Sequence, residues 1–110
     1  MAKQAASAKK VSGAPRRADP ETLRIAREVG KRLQITREAV GLSQKVFASR
    51  VGALDSTWSQ YESGHRILSI KVAEKVCSRF GCDMNWLYAG DHSNLPRDLR
   101  AAVVALLQLR

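Results

Sequence analysis

The stretch that decides the fold is residues 52–64, GALDSTWSQYESG, in which two large aromatic residues stand among short polar ones. Read as a helix at 100° per residue, it brings Leu54, Trp58 and Tyr61 within about a quarter-turn of one another. The opposite side then carries small hydrogen-bonding side chains: Ser56, Ser59, Gln60 and Ser63, flanked by Asp55 and Thr57. The stretch therefore predicts a helix with one anchoring face and one polar face.

A second short helix is predicted immediately before this one. Ser43 suits the N-cap of a helix over residues 44–51, and Phe47 and Val51 share one face of it. Ala48 is small enough for two helices to cross closely, and Gly52 admits the positive φ that a tight turn needs. Residues 43–64 thus predict two helices joined by a tight turn.

The rest of the chain also reads as short helices separated by stop signals. A first helix over residues 21–40 ends at Gly41 and turns four apolar residues inward: Ala26, Val29, Leu33 and Val40. Ser69 is expected to cap a fourth helix reaching Phe80, with Val72 and Val76 inward. Because no segment alternates apolar and polar residues over a run of β-branched side chains, the prediction is an all-α fold.

Two further helices follow from the same signals. Asp83 is expected to cap a fifth helix in MNWLYAG, where Trp86 and Leu87 are core candidates. Pro96 suits the first turn of a sixth helix reaching Arg110, whose apolar stripe comprises Leu99, Val103, Leu106 and Leu107. The predicted organisation is a tail over residues 1–20, a helical domain over 21–92 and a terminal amphipathic helix over 93–110.

The charge of the chain points to an anionic partner. Lys and Arg outnumber Asp and Glu by 19 to 10, which gives a net charge of +9 and an isoelectric point near 10.3. Nucleic acid is the first candidate partner and a membrane surface the second. Residues 1–20 carry five basic residues against Asp19 and show no apolar period, so they predict a disordered basic tail, either a phosphate-gripping arm or an inert segment.

Catalysis, cofactors, metals and membranes find no support in the motifs. Two cysteines and two histidines are not in ligand spacing, and no Gly-rich phosphate loop is present. No Ser/His/acid or Cys/His set has a context that would position it. Neither a secretory signal nor a membrane-spanning run is evident, so the expectation is a cytoplasmic protein that is not an enzyme and binds no cofactor or metal.

The helix pair resembles a known DNA-binding unit. Ser43-Gln44, Ala48, Gly52 and the acid-x-Gly ending Glu62-Ser63-Gly64 are similar to the helix-turn-helix of lambda-repressor-like (Xre-type, Cro-like) domains. The similarity extends to VGKRLQITREAVGLSQ (29–44) and SIKVAEKVCSRFGCDMNWLYAG (69–90), so it covers residues 27–90. It implies a five-helix DNA-binding fold, here with an extra C-terminal helix and the basic tail.

The resemblance also implies roles for individual residues. In this family the second helix lies across the DNA backbone and the third enters the major groove. The positions of base-contacting residues are held by Ser56, Thr57, Gln60, Asp55 and Ser59. Glutamine at position 60 can pair bidentately with adenine. The expected contacts to the DNA backbone come from Gln44, Ser43, Lys45, Arg50, Ser63, Arg66, Arg16 and Arg17. Gln44 has support of the third helix as its alternative role.

Several positions depart from the family pattern or complete it. Asp55 stands where relatives carry neutral or basic residues. We expect it to be the cap of the third helix or an acid in its first turn, and the favoured role is capping rather than reading cytosine. Trp58 replaces a smaller β-branched residue, and Thr36 is conjectured to leave room for it. Arg37 and Glu62 match a family ion pair, so we expect them to be in contact and Glu62 to be structural.

The implied function is sequence-specific binding of double-stranded DNA by a transcription regulator, a repressor of bacterial or phage type that acts at the nucleoid as a homodimer. The apolar stripe on the sixth helix could form the dimer surface or could pack on its own domain. Two alternatives remain from other classes. One is an antitoxin-like protein that holds a protein partner through its tail or terminal helix, and the other is an adaptor that has lost DNA contact, which Asp55 favours.

Overall fold

Residues 19–110, which are the part of the chain that the computed structural model describes, form five α-helices and one π-helical turn without any strand. The helices are α1 (Pro20–Ala39), α2 (Gln44–Arg50), α3 (Asp55–Ser63), α4 (Ile70–Phe80) and α5 (Arg97–Leu109), and the π-turn is Asn85–Ala89. The predicted all-α class is confirmed. Residues 1–18 of the predicted disordered tail, with Arg16 and Arg17, lie outside the described residues, whereas its last two residues, Asp19 and Pro20, form the cap and first residue of α1.

Local capping chemistry starts several of these helices. The hydroxyls of Ser43 and Ser69 accept hydrogen bonds from the backbone N–H groups three residues ahead, at 3.3 and 3.2 Å. Asp83 Oδ1 accepts from the N–H of Trp86 at 2.8 Å, and Asp19 caps α1 in the same way. Each bond satisfies an N–H group that has no partner within its own helix, which is why the start of each element can be read from a single residue.

The start of α3 differs from the prediction. Leu54 occupies the N-cap position in an extended conformation, and its side chain makes no cap hydrogen bond. Asp55 is instead the first helical residue, so of the two roles expected for it the cap is wrong and the first-turn acid is confirmed. Its carboxylate lies where it interacts favourably with the helix dipole. The prediction that Leu54 belongs to the anchoring face is also wrong, because its 73% exposure follows from a backbone that is not yet helical.

The predicted fifth helix is only the π-turn, yet it buries both predicted core residues, Trp86 and Leu87. Trp86 Nε1 donates to Thr36 Oγ1 at 2.8 Å, and Thr36 in turn donates to the backbone carbonyl of Arg32 at 2.7 Å. Thr36, conjectured to leave room for Trp58, therefore provides the hydrogen-bond acceptor for the other indole.

The core is organised around α1, which packs against α3, the π-turn and α5, while α2 packs against α3. Leu33 of α1, Phe47 of α2 and Val76 of α4 are fully buried. Val103 of α5 is also completely buried, and Leu99 and Leu106 pack against the same core. Three residues of the predicted stripe, Leu99, Val103 and Leu106, therefore pack on their own domain, which is one of the two predicted alternatives, whereas Leu107 is exposed.

Candidate nucleic-acid interface

The turn between α2 and α3 is built from small residues. Gly52 has a φ of +72°, a conformation that residues with a side chain rarely adopt, and Ala48 is fully buried. The backbone N–H of Ala53 donates to the carbonyl of Ala48 at 2.9 Å, which closes the turn directly onto α2. These contacts fix the direction in which α3 leaves the turn.

An aromatic cluster supports α3 from beneath. Trp58 is completely buried, its ring centroid lies 4.8 Å from that of Phe47, and Tyr61 meets it edge-on at 6.0 Å. Phe80 of α4 stacks on the other side of Phe47 at 4.2 Å. Aromatic pairs at these separations contribute packing and fix relative orientation. The indole that departs from the family pattern is thus accommodated inside a four-ring cluster.

Glu62, on the same buried side of α3, joins three helices through four hydrogen bonds. Its Oε2 accepts from Arg37 Nε at 2.7 Å and from Trp58 Nε1 at 2.6 Å. Its Oε1 accepts from Arg37 Nη2 at 3.2 Å and from Gln44 Nε2 at 2.9 Å. The Glu62 side chain is only 5% exposed, so these charge-assisted bonds act in a medium where they are strong.

Arg37 and Glu62 are therefore in contact, as expected. Of the two roles expected for Gln44, contact with the DNA backbone and support of the third helix, its hydrogen bond to Glu62 corresponds to support. Arg37 also donates through Nη1 to the carbonyl of Leu42 at 3.0 Å, in the loop that enters α2. Because α1, α2 and α3 each contribute a donor or the acceptor, the orientation of α3 cannot change without breaking several of these bonds. Trp58, Tyr61 and Glu62 are called the inner face of α3 below.

Two glycines allow α1 to approach α3 at backbone distance. A Cβ atom on Gly30 of α1 would lie 2.5 Å from the carbonyl oxygen of Tyr61 and 2.6 Å from that of Glu62. A Cβ atom on Gly64, which ends α3 with a φ of +83°, would lie 2.9 Å from the Cα of Arg27. The inner face is therefore held by backbone contact as well as by side chains.

The opposite side of α3 carries polar side chains, most of which are exposed. Its residues, called the outer face below, are exposed except for the half-buried Thr57: Asp55, Ser56, Thr57, Ser59, Gln60 and Ser63. Within residues 19–110 the side chains of Ser56, Thr57, Ser59 and Gln60 make no hydrogen bond to protein. The outer face thus offers donors and acceptors, carried on a fixed helix, to an external partner.

The residues expected at the DNA backbone fall into two groups. The Ser43 hydroxyl caps α2, and the Ser63 hydroxyl donates to the carbonyl of Gln60 at 3.2 Å and lies 2.7 Å from His65 Nδ1. Lys45, Arg50 and Arg66 are exposed and form no ion pair within the described range. Their charges are therefore available to an anion outside the protein, whereas Arg16 and Arg17 lie outside the described residues.

The surface around the outer face is positively charged. Residues 43–75 contain five basic side chains (Lys45, Arg50, Arg66, Lys71 and Lys75) and three acidic ones (Asp55, Glu62 and Glu74). One of the three, Glu62, is buried and paired with Arg37. The remaining excess of positive charge favours a polyanion, although the Asp55 carboxylate opposes close approach of a phosphate to the start of α3.

Metal binding finds no support in the described residues, where no three His, Cys, Asp or Glu side chains lie close enough together to hold an ion. Cys77 and Cys82 are free thiols, and burial raises the pKa of both, most strongly that of Cys82. A thiol with a raised pKa is a poor nucleophile and a poor ligand near neutral pH. In the same part of the chain, no helix has the length and apolar character needed to cross a membrane.

Sequence reasoning missed two residues at this site. Leu54 is expected on the anchoring face, but it is a large apolar side chain exposed at the start of α3. A Leu in an uncapped N-cap position is the local signal that could have revealed it. Gly30 carried no local signal, because its role depends on α3 crossing α1 at that residue.

Comparison with known proteins agrees with this architecture. A family described as a helix-turn-helix domain matches residues 28–85, which contain α2, the turn and α3. A curated relative, the propionyl-CoA carboxylase regulator of Cereibacter sphaeroides, is 35% identical over 74 residues. That alignment covers 67% of this chain but only 16% of the relative, so the chain spans about a sixth of that protein's length.

Proposed function

The chain belongs to the helix-turn-helix domain family, and from this we propose that it binds double-stranded DNA sequence-specifically as a transcription regulator of the lambda-repressor-like type. The observation that carries the proposal is the contrast between the two sides of α3. Its inner face is locked by Glu62 and the aromatic cluster, while four outer-face side chains make no hydrogen bond to protein within residues 19–110: Ser56, Thr57, Ser59 and Gln60. A rigid helix with available donors and acceptors is what direct readout in the major groove requires.

In this proposal α3 enters the major groove and α2 crosses the DNA backbone. Gln60 reads an adenine through its amide, and Ser56 and Thr57, with Ser59, bond to neighbouring base edges. Asp55 either accepts from cytosine N4 or excludes phosphate from the start of the helix. Lys45 and Arg50 on α2 and Arg66 just after α3 neutralise phosphates, since they are exposed and form no ion pair within residues 19–110.

The regulatory part of the proposal is that the protein acts as a repressor. A relative named as a regulator supports a regulatory role, although this chain matches only 16% of it. We further propose a homodimer that binds two half-sites about one DNA turn apart, in the cytoplasm of a bacterium or on phage DNA at the nucleoid. The dimer surface must then be other than Leu99, Val103 and Leu106, which pack on their own domain.

The proposal is tested by selecting bound sequences from random duplexes with the full chain. We expect one consensus with two related half-sites, and we expect Gln60→Ala to weaken consensus binding by about 1–3 kcal/mol while background binding persists. Gln108→Ala, at an exposed position on α5, is the matched control and should leave the consensus unchanged. A consensus unaffected by Gln60→Ala would remove α3 as the reading element.

The contribution of the basic surface is measured separately through salt dependence. The logarithm of the association constant falls linearly with the logarithm of the salt concentration, and each phosphate contact should steepen this slope by about 0.9. Arg50→Ala should therefore lower the slope by about one unit for consensus and random duplexes alike. Absence of binding to any duplex even at low salt would contradict the proposal and leave the adaptor or antitoxin-like alternative, in which the partner is another protein.

A further inference from the structure

Leu54 is an exposed apolar residue at a helix N-cap, a position that short polar side chains usually occupy. It is 73% exposed and holds the N-cap position of α3 without a cap hydrogen bond. The N-cap positions of α1, α2 and α4 are held by Asp19, Ser43 and Ser69, each of which accepts a backbone hydrogen bond. At α3 the chain forgoes that bond and leaves a large apolar side chain in water, so this residue contributes neither a cap nor much apolar burial to folding.

The backbone holds Leu54 firmly in this exposed position. Its carbonyl accepts from the N–H of Trp58 at 2.9 Å, and the preceding residue, Ala53, is bonded to Ala48 at the same distance. Because the Trp58 side chain is locked to Glu62, Leu54 is held relative to the outer face. Because the backbone is already ordered here, docking this side chain against a partner costs little backbone conformational entropy.

The surroundings of Leu54 indicate what that partner group is. The residues that follow it, Asp55 and Ser56, are exposed and polar, and Gly52 in the turn before it is exposed and has no side chain. A protein-docking surface usually presents a contiguous apolar patch, and the exposed residues next to Leu54 in sequence are not apolar. A single apolar side chain among hydrogen-bonding groups matches the major groove, where the thymine C5-methyl group is the apolar feature on the base edges.

We infer that Leu54 reads a thymine through contact with its 5-methyl group; this inference rests on the proposed function, in which the N-terminal end of α3 lies against base edges. Leu54 then extends the recognition set by one apolar contact, next to the polar contacts of Ser56 and Gln60. The site therefore contains at least one thymine for which the methyl group, and not only the pairing edge, determines affinity.

The test combines a change in the base with a change in the side chain. In the selected duplex, each thymidine is replaced singly by 2′-deoxyuridine, which removes the methyl group and keeps every hydrogen-bonding atom. We expect one such replacement to weaken wild-type binding about fourfold, the factor that burial of one methyl group provides. Leu54→Ala should bind the methylated and unmethylated duplexes equally, whereas Leu109→Ala, which alters an 82% exposed leucine on α5, should retain the fourfold difference.

Two results would overturn the inference while leaving the proposed function intact. One is a consensus without thymine, and the other is a deoxyuridine effect that is the same in wild type and Leu54→Ala at every position. Failure of the wild-type protein to prefer any duplex would instead overturn the proposed function and this inference with it. Circular dichroism and thermal unfolding of Leu54→Ala, expected to match wild type, separate loss of readout from loss of fold.

Discussion

The two faces of α3 share one backbone but differ in how their polar atoms are used. On the inner face, the Glu62 carboxylate accepts four hydrogen bonds and the Trp58 indole has both a packing and a hydrogen-bonding partner. On the outer face, Ser56 and Gln60 use none of their side-chain donors or acceptors within the described residues. The difference indicates that substitutions on one side should change stability and those on the other should change binding.

The largest effect is expected from Glu62→Gln, which keeps the shape of the side chain and removes its charge. The buried Arg37 guanidinium then lacks a carboxylate, so the free energy of unfolding should fall by about 3 kcal/mol, measured by urea denaturation. Glu28→Gln is the control, because Glu28 pairs with Arg24 and Arg32 at a side chain that is 44% exposed and should change stability by less than about 0.5 kcal/mol. Equal losses of unfolding free energy in the two variants would show that the Glu62 bonds stabilise the fold no more than an exposed ion pair does.

The second prediction concerns the crossing of α1 and α3. Gly→Ala inside a helix normally stabilises it by about 1 kcal/mol, but at Gly30 the new methyl group would meet two carbonyl oxygens of α3 at 2.5 and 2.6 Å. Backbone atoms cannot move aside cheaply, so Gly30→Ala should destabilise the protein by about 2 kcal/mol in thermal unfolding.

The control for this crossing is Gly41→Ala. A Cβ atom at Gly41 has no heavy atom within 4 Å, and its positive φ alone should cost about 1 kcal/mol. A smaller loss at Gly30 than at Gly41 would mean that α1 and α3 can separate at little cost. The inner face would then be held by its side chains alone.

The third prediction concerns Leu54, the N-cap residue of α3. Leu54→Ser restores a cap to α3 and removes exposed apolar surface, so it should stabilise the protein by about 1 kcal/mol. Ser43→Ala should destabilise the protein by a similar free energy, because it removes the cap hydrogen bond at the start of α2. The thermal midpoint should therefore shift in opposite directions for the two variants, by about 4–8 °C each. A destabilising Leu54→Ser would mean that this leucine is structural.

The sequence predicts well the features that one or two neighbouring residues decide. Ser43 and Ser69 cap their helices, and Gly41, Gly64 and Gly81 adopt the positive φ that ends a helix. The face that buries Trp58 and Tyr61 also follows from helical period alone. These features need no knowledge of the remaining fold, because each is set within a single turn of the chain.

The features that escape prediction depend on contacts between distant segments or on the last residue before a helix. Gly30 matters only because α3 crosses α1 there, and Thr36 only because Trp86 reaches it over 50 positions of sequence. Leu54 was misplaced because the helical period was extended one residue beyond the helix. The Arg37–Glu62 contact was expected from family resemblance, whereas the added bonds from Trp58 and Gln44 required the structure.

The smallest effect on stability is expected from the outer face itself. Ser56→Ala and Gln60→Ala remove side chains that make no hydrogen bond within residues 19–110, so each should change the free energy of unfolding by less than about 0.5 kcal/mol in urea denaturation. The same variants should lose preference for the selected duplex, and Glu62→Gln, where it remains folded, should keep a preference for the same consensus. If Gln60→Ala instead unfolds the protein more readily by over about 1 kcal/mol, the outer face contributes to the fold. Its exposed polar groups could then no longer be attributed to recognition alone.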